Sequence, residues 1–150
     1  MTYRIIYSSV SSTPMQLDDL EDLLEQAQGN NSSQGITGAL VYVDGFFLQV
    51  LEGEKESLQK LMQAICKDFR HETVTVLQEE EIAAAAFSAW DMAYVSATPE
   101  QVATWAGLSG TTKLPEVLED IHQDPHKATQ VARSILSMLL GGPSSTAKAE

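Results

Sequence analysis

Gln49 stands in the run Phe47-Leu48-Gln49-Val50-Leu51. Alternate side chains of a strand share a face, so Gln49 is grouped with Phe47 and Leu51 and should be buried. A buried amide needs partners for two donors and an acceptor. Tyr7, in Tyr3-Arg4-Ile5-Ile6-Tyr7-Ser8-Ser9, shares a face with Tyr3 and Ile5 and brings a phenol to an apolar side. A phenol and an amide in one core can form a hydrogen bond whose sense inverts when the amide turns. They can equally be two core polar groups that satisfy each other. Trp90-Asp91-Met92 places Trp90 and Met92 on one face of an expected strand, with Asp91 and Ala93 on the other. Such a pair serves a plain core as readily as a ligand. Asn30-Asn31 follows a helical stretch, where a cap or turn is the ordinary use of asparagine.

Several chemistries are argued against by what the sequence lacks. It has no Gly-rich phosphate loop, no metal-ligand spacing and no Cys/His or Ser/His/Asp set. His71, His122 and His126 do not cluster, and Pro125 interrupts the last two, so a metal site is not expected. The net charge of −12 repels phosphate backbones, which argues against a nucleic-acid partner. Cys66 is the single cysteine and excludes an internal disulfide, in keeping with a reducing compartment. No apolar run is long enough for a bilayer and no signal-peptide pattern opens the sequence, so the expectation is a cytoplasmic protein with no membrane partner.

The elements that must position these residues follow from periodicity. Strands are expected over 3–9, 38–43, 46–52, 73–78 and 90–96, with Asp44-Gly45 as a hairpin turn. Leu17, Leu20, Leu24 and Ala27 recur at helical spacing and predict a helix that ends near Gly29. Leu58, Leu61, Met62, Ile65 and Phe69 predict a second. After Pro99, helices are expected over 100–105, 114–122 and 125–140, and a disordered tail over 141–150. Segment 79–88 reads equally as helix or loop. The order βαββαββ predicts an α+β, ferredoxin-like sandwich with a mixed five-stranded sheet. Phe46, Leu48 and Val50 make the second face of the third strand apolar too, and a sheet apolar on both faces must be covered on both. Two helices are therefore expected on one face and the C-terminal helices on the other.

Taken together, the segments resemble the BLUF photoreceptors, sensors of blue light using flavin. The resemblance rests on Tyr3–Ser9 with Tyr7, on Asn30-Asn31 leading into Gly35-Ile36-Thr37-Gly38-Ala39-Leu40, and on Phe46-Phe47-Leu48-Gln49-Val50-Leu51-Glu52-Gly53. It continues in Asp68-Phe69-Arg70-His71 and in Phe87-Ser88-Ala89-Trp90-Asp91-Met92. It covers about residues 2–96, and it is the ordered set, more than any one piece, that is specific. The resemblance implies a flavin ring between the first two helices, FAD in the first instance, with FMN or riboflavin as alternatives. Tyr7 and Gln49 match the family's switching pair, and Trp90 and Met92 match the residues that repack near the glutamine. Asn31 matches the side chain on the ring's polar edge; Asn30 is a weaker match. Arg70 and His71 match a basic pair directed at the flavin. Ile36, Phe47, Ile65 and Leu24 are expected to wall the ring, with Leu23. Ala27 and Ala64 depart from the pattern, standing where several members carry a hydroxyl residue and some an arginine.

The resemblance implies a non-enzymatic sensor of three parts: a flavin-binding domain over 1–97, a helical output segment over 98–140 and the tail. No attached output domain is expected, so signalling would pass to a homo-oligomer or a downstream signalling protein. Two rival readings remain at this level. One is a flavin-free, ferredoxin-like interaction module. The other is an acylphosphatase-like hydrolase, which would need an anion-binding loop with an arginine near the first strand; residues 9–16 contain none.

Overall fold

The computed structural model describes residues 2–12, 15–68, 71–108 and 113–141. The elements run β1 (Thr2–Ser11), α1 (Leu17–Gln34), β2 (Thr37–Val43), β3 (Phe46–Gly53), α2 (Lys55–Lys67), β4 (His71–Ile82), β5 (Ala93–Ser96), α3 (Pro99–Trp105), α4 (Leu114–Gln123) and α5 (Pro125–Leu139). They form one five-stranded sheet in the order β4-β1-β3-β2-β5. Its pairs are antiparallel except β2 with β5, so the sheet is mixed, and the ferredoxin-like expectation holds. Asp44 and Gly45 both adopt positive φ, 50° and 84°, which gives the β2–β3 hairpin the tight turn that their types favour.

Alternation sends the two faces into two cores. Ile5, Tyr7, Leu40, Phe47 and Leu51 pack with Leu23 of α1 and with Leu58 and Ile65 of α2. Ile6, Val41, Leu48 and Val50 pack with Val102 of α3, Val117 and Ile121 of α4, and Val131 and Ile135 of α5. The C-terminal helices thus cover the face opposite α1 and α2. No helix among the described residues is long and apolar enough to cross a membrane.

Three boundaries differ from expectation. Helix α1 does not end near Gly29 but runs on to Gln34, so Asn30 and Asn31 lie within it. Gly35 ends it instead, in the left-handed conformation (φ 69°) that glycine adopts without strain. Strand β4 is longer than predicted and takes in Glu79–Ile82 as its end, while 83–89 forms bends and a turn. Strand β5 begins only at Ala93, so Trp90 and Met92 precede it. The expectation that these two share a face is therefore wrong. Met92 belongs to the α1–α2 core and Trp90 packs against the other. The physical reason is that 90–92 is bent backbone, where the period of two does not apply. Phe69 and the 142–150 tail lie outside the described residues.

Candidate functional site

The β1–β3 register sets Tyr7 directly opposite Gln49, and the β2–β3 register sets Leu40 opposite Gln49 on the other side. Opposed residues of a sheet share a face, which puts the phenol beside the amide. Tyr7 Oη donates a hydrogen bond to Gln49 Oε1. Gln49 Nε2 donates to Met92 Sδ at 3.3 Å. A thioether is a weak acceptor, so the amide is held firmly at one end and loosely at the other. Tyr7 is fully buried, and burial pushes its phenol well above the ordinary tyrosine range, with electrostatic repulsion from nearby acidic groups adding to the shift. The phenol is therefore neutral and carries its proton.

Above this pair, α1 and α2 leave a cleft with about 620 Å³ of space, part of it open to solvent. Leu23, Ala27, Leu40, Leu61, Ala64 and Ile65 give it apolar walls, and Gln26, Asn30, Asn31 and Gln49 line it with amides. Asp68 and His71 complete its lining with Tyr7. Asn31 is only 2% exposed, although asparagine seldom hides on a helix. Its Nδ2 donates to the Asp91 carbonyl at 3.1 Å, and Gln28 Nε2 donates to the Met92 carbonyl at 3.0 Å. Helix α1 thus holds the segment that carries Met92. His71, at the start of β4, shares a 2.8 Å hydrogen bond with Ser9 Oγ and packs its ring 4.7 Å from that of Phe47.

The residues that sequence reasoning selects fall into five groups. Tyr7, Gln49, Asn30, Asn31, Ile65 and His71 line the cleft together, as do the two departures, Ala27 and Ala64. Met92 lies behind Gln49 in the same core. Leu24, Ile36 and Phe47 do not line the cleft. Ile36 and Phe47 are wholly buried in the core beneath it, and Leu24 packs against that core on α1, half-buried. Trp90 is on the far side of the sheet, and Arg70 lies outside the described residues. Sequence reasoning does not reach Gln26, Leu40, Leu61 or Asp68 as site residues. For Leu40 a signal existed, since it alternates with Tyr42 on β2 and the hairpin sets it opposite Gln49. For Gln26, an exposed residue on a helix, none did.

An isoalloxazine ring is flat, apolar on its faces and polar along one edge. Aliphatic walls from two helices with buried amides at the floor fit such a group, so the residues present suit a flavin. Comparison with known proteins agrees. Residues 2–93 match the family model described as BLUF, sensors of blue-light using FAD. The chain is 35% identical over 105 residues to the photoactivated adenylate cyclase subunit beta of Euglena gracilis, a match that covers 69% of this chain but 12% of that protein. Among solved structures it is similar to BlrB, described as a BLUF protein in its dark state. That match has a TM-score of 0.73 and 24% identity, and covers 92% of this chain and 97% of the other. It is also similar to the ground state of BlsA, with a TM-score of 0.65, 31% identity, and 81% and 88% coverage.

Proposed function

The chain belongs to the family of sensors of blue light using FAD, and from that premise we propose that it signals by rearranging the hydrogen bonds that join Tyr7, Gln49 and Met92. The observation that carries this reading is the buried relay itself: a neutral phenol and an amide at the floor of the α1–α2 cleft, with a thioether bonded behind the amide. A bound flavin supplies the absorption of blue light and an excited state that accepts an electron. Tyr7 gives up an electron and then its Oη proton and takes both back, so the cycle leaves no net chemistry. Gln49 responds by a half-turn or tautomerisation of its amide, which exchanges donor for acceptor toward Tyr7, toward the cleft and toward Met92. The weak bond to Met92 Sδ is the one that yields. Asn31 would hold the polar edge of the ring, helped by Asn30 and His71, and the family resemblance alone proposes Arg70 for the same role.

We assign the sensing role to residues 1–97 and the output role to 98–140, read by a second copy or a downstream signalling protein in the cytoplasm. FAD is the flavin that the family description supports, with FMN and riboflavin as the alternatives. The chain spans about an eighth of the length of the cyclase subunits it resembles, and we propose for it sensing without catalysis. The test is direct. The purified protein, offered FAD, FMN and riboflavin in turn, should turn yellow, shift its absorbance to the red under blue light, and return in the dark. A protein that takes up none of the three contradicts the reading and leaves the flavin-free interaction module.

A further inference from the structure

Glu52 is fully buried near the end of β3, and the relay does not use it. By alternation it shares the face of Leu48 and Val50, the face covered by α3–α5. Both carboxylate oxygens are engaged. Oε2 accepts from Arg4 Nε at 3.1 Å and Nη2 at 2.9 Å, and Oε1 accepts from the backbone N–H of Phe87 at 2.8 Å. A buried carboxylate so satisfied is costly to disturb, because removing a partner leaves a charge without compensation. Its position in the sheet is therefore fixed.

Phe87 opens a segment that passes from one core to the other. Its ring is buried on the α3–α5 side, where it meets Trp90 edge-on at 6.4 Å. The Phe87 carbonyl accepts from Trp90 N–H at 3.0 Å, and the Trp90 carbonyl accepts from Gly38 N–H of β2 at 3.1 Å. Two residues on, Met92 enters the α1–α2 core and meets Gln49. The segment is thus gripped by the amides of α1 and Gln49 at one end and by Glu52 at the other. The two grips differ in strength. The first is made of neutral hydrogen bonds and a thioether contact, the second of a charge-assisted bond to an ion pair.

We propose that Glu52 is a positioning residue for the photoswitch: through the Phe87 N–H it anchors the segment 87–92, sets Met92 against Gln49 and limits how far Met92 can withdraw. The proposal rests on the relay described under Proposed function. Two double variants isolate the anchor. Arg4→Met with Glu52→Gln removes the ion pair and keeps an oxygen for the Phe87 N–H. Arg4→Met with Glu52→Leu removes both. Neither leaves an unpaired buried charge, and apolar replacement of a buried ion pair is often neutral for stability.

Both variants should bind flavin and show the red shift. Protection of the Phe87 amide from hydrogen exchange should fall by about tenfold in the Leu variant and persist in the Gln variant. Dark recovery should be faster by about tenfold in the Leu variant and stay within about twofold of the parent in the Gln variant. A parent that shifts while both variants recover alike overturns the anchor and leaves the relay standing. A parent with no shift overturns the relay and the anchor with it. Should the Leu variant not fold, the unmodified protein decides. The Phe87 amide should stay protected in dark and light while the amides of Trp90 and Met92 change; loss of Phe87 protection in the light overturns the proposal.

Discussion

On the α3–α5 side of the sheet, Ile6, Val41 and Val50 meet Val117, Ile121 and Ile135, and each of the six is at or near zero exposure. On the α1–α2 side the same sheet carries Tyr7, Gln49 and His71 beneath a cleft. The helices differ in the same sense. Helix α4 buries four of its 10 residues, Leu114, Val117, Leu118 and Ile121. Helix α1 buries two of 18, and one of those is Asn31. A surface helix usually docks through a continuous apolar stripe. Helix α4 does so; α1 touches the core mainly through Leu23 and spends amides on the floor of the cleft and on the segment before β5. One face is therefore filled by the chain, and the other leaves the cleft that we propose a ligand fills.

The largest expected effect lies on the filled face. Ile135→Ala should cost about 2–5 kcal/mol, because a packed interior relaxes only partly around a deletion. It should lower the urea midpoint without changing the slope, and leave the flavin spectrum of the folded fraction as it was. A loss below about 1 kcal/mol would show that this face is not close-packed. The next effect separates the faces. Ala27→Leu adds bulk to the cleft wall and should weaken flavin binding by about tenfold, without lowering the stability of the flavin-free protein. Ala132→Leu, in the close-packed core, should instead cost about 1–3 kcal/mol with flavin affinity kept. Equal destabilisation by the two leucines would remove the distinction.

The smallest effect is at the entrance of α5. Asp124 accepts from His126 N–H at 3.1 Å and pairs with Lys127 Nζ at 3.1 Å. The Lys127 hydrogen bond, then that from the His126 backbone, holds its carboxyl below the ordinary aspartate range. The folded form thus binds the proton less readily than the unfolded chain. Its contribution is present above the unfolded value, near pH 4, and is lost as the pH falls. Asp124→Asn keeps an acceptor and removes the charge, so the gap between parent and variant in urea midpoint should be small at pH 7 and close toward pH 3. A gap that stays constant over that range would contradict this.

Much of the site was legible because β1 and β3 obey a strict period of two. Gln49 falls among Phe47 and Leu51, Tyr7 falls on the matching face of β1, and the hairpin with Asp44-Gly45 leaves little freedom in register. The two covered faces follow from the same pattern. The rest was hidden where local signals lose to tertiary contacts. Gly29 weakens a helix by only about 1 kcal/mol, and α1 continues past it with Asn31 buried and bonded to Asp91. Trp90 and Met92 read as one stripe, yet the carbonyls of 90–92 are held by Gly38, Asn31 and Gln28 and not by strand pairing. Glu52 looked like the polar end of a strand. Its burial depends on Arg4 from β1 and on an N–H from position 87, which no period reveals.

The central claim is that the Tyr7–Gln49 pair switches and that Met92 responds to it. The light-minus-dark difference spectrum of Gln49→Leu and Tyr7→Phe tests it most directly. Leucine replaces a buried amide by an apolar side chain of similar size, and phenylalanine removes one hydroxyl, so both variants should fold and retain flavin. Neither should shift to the red under blue light. A normal, reversible red shift in either variant would contradict the account.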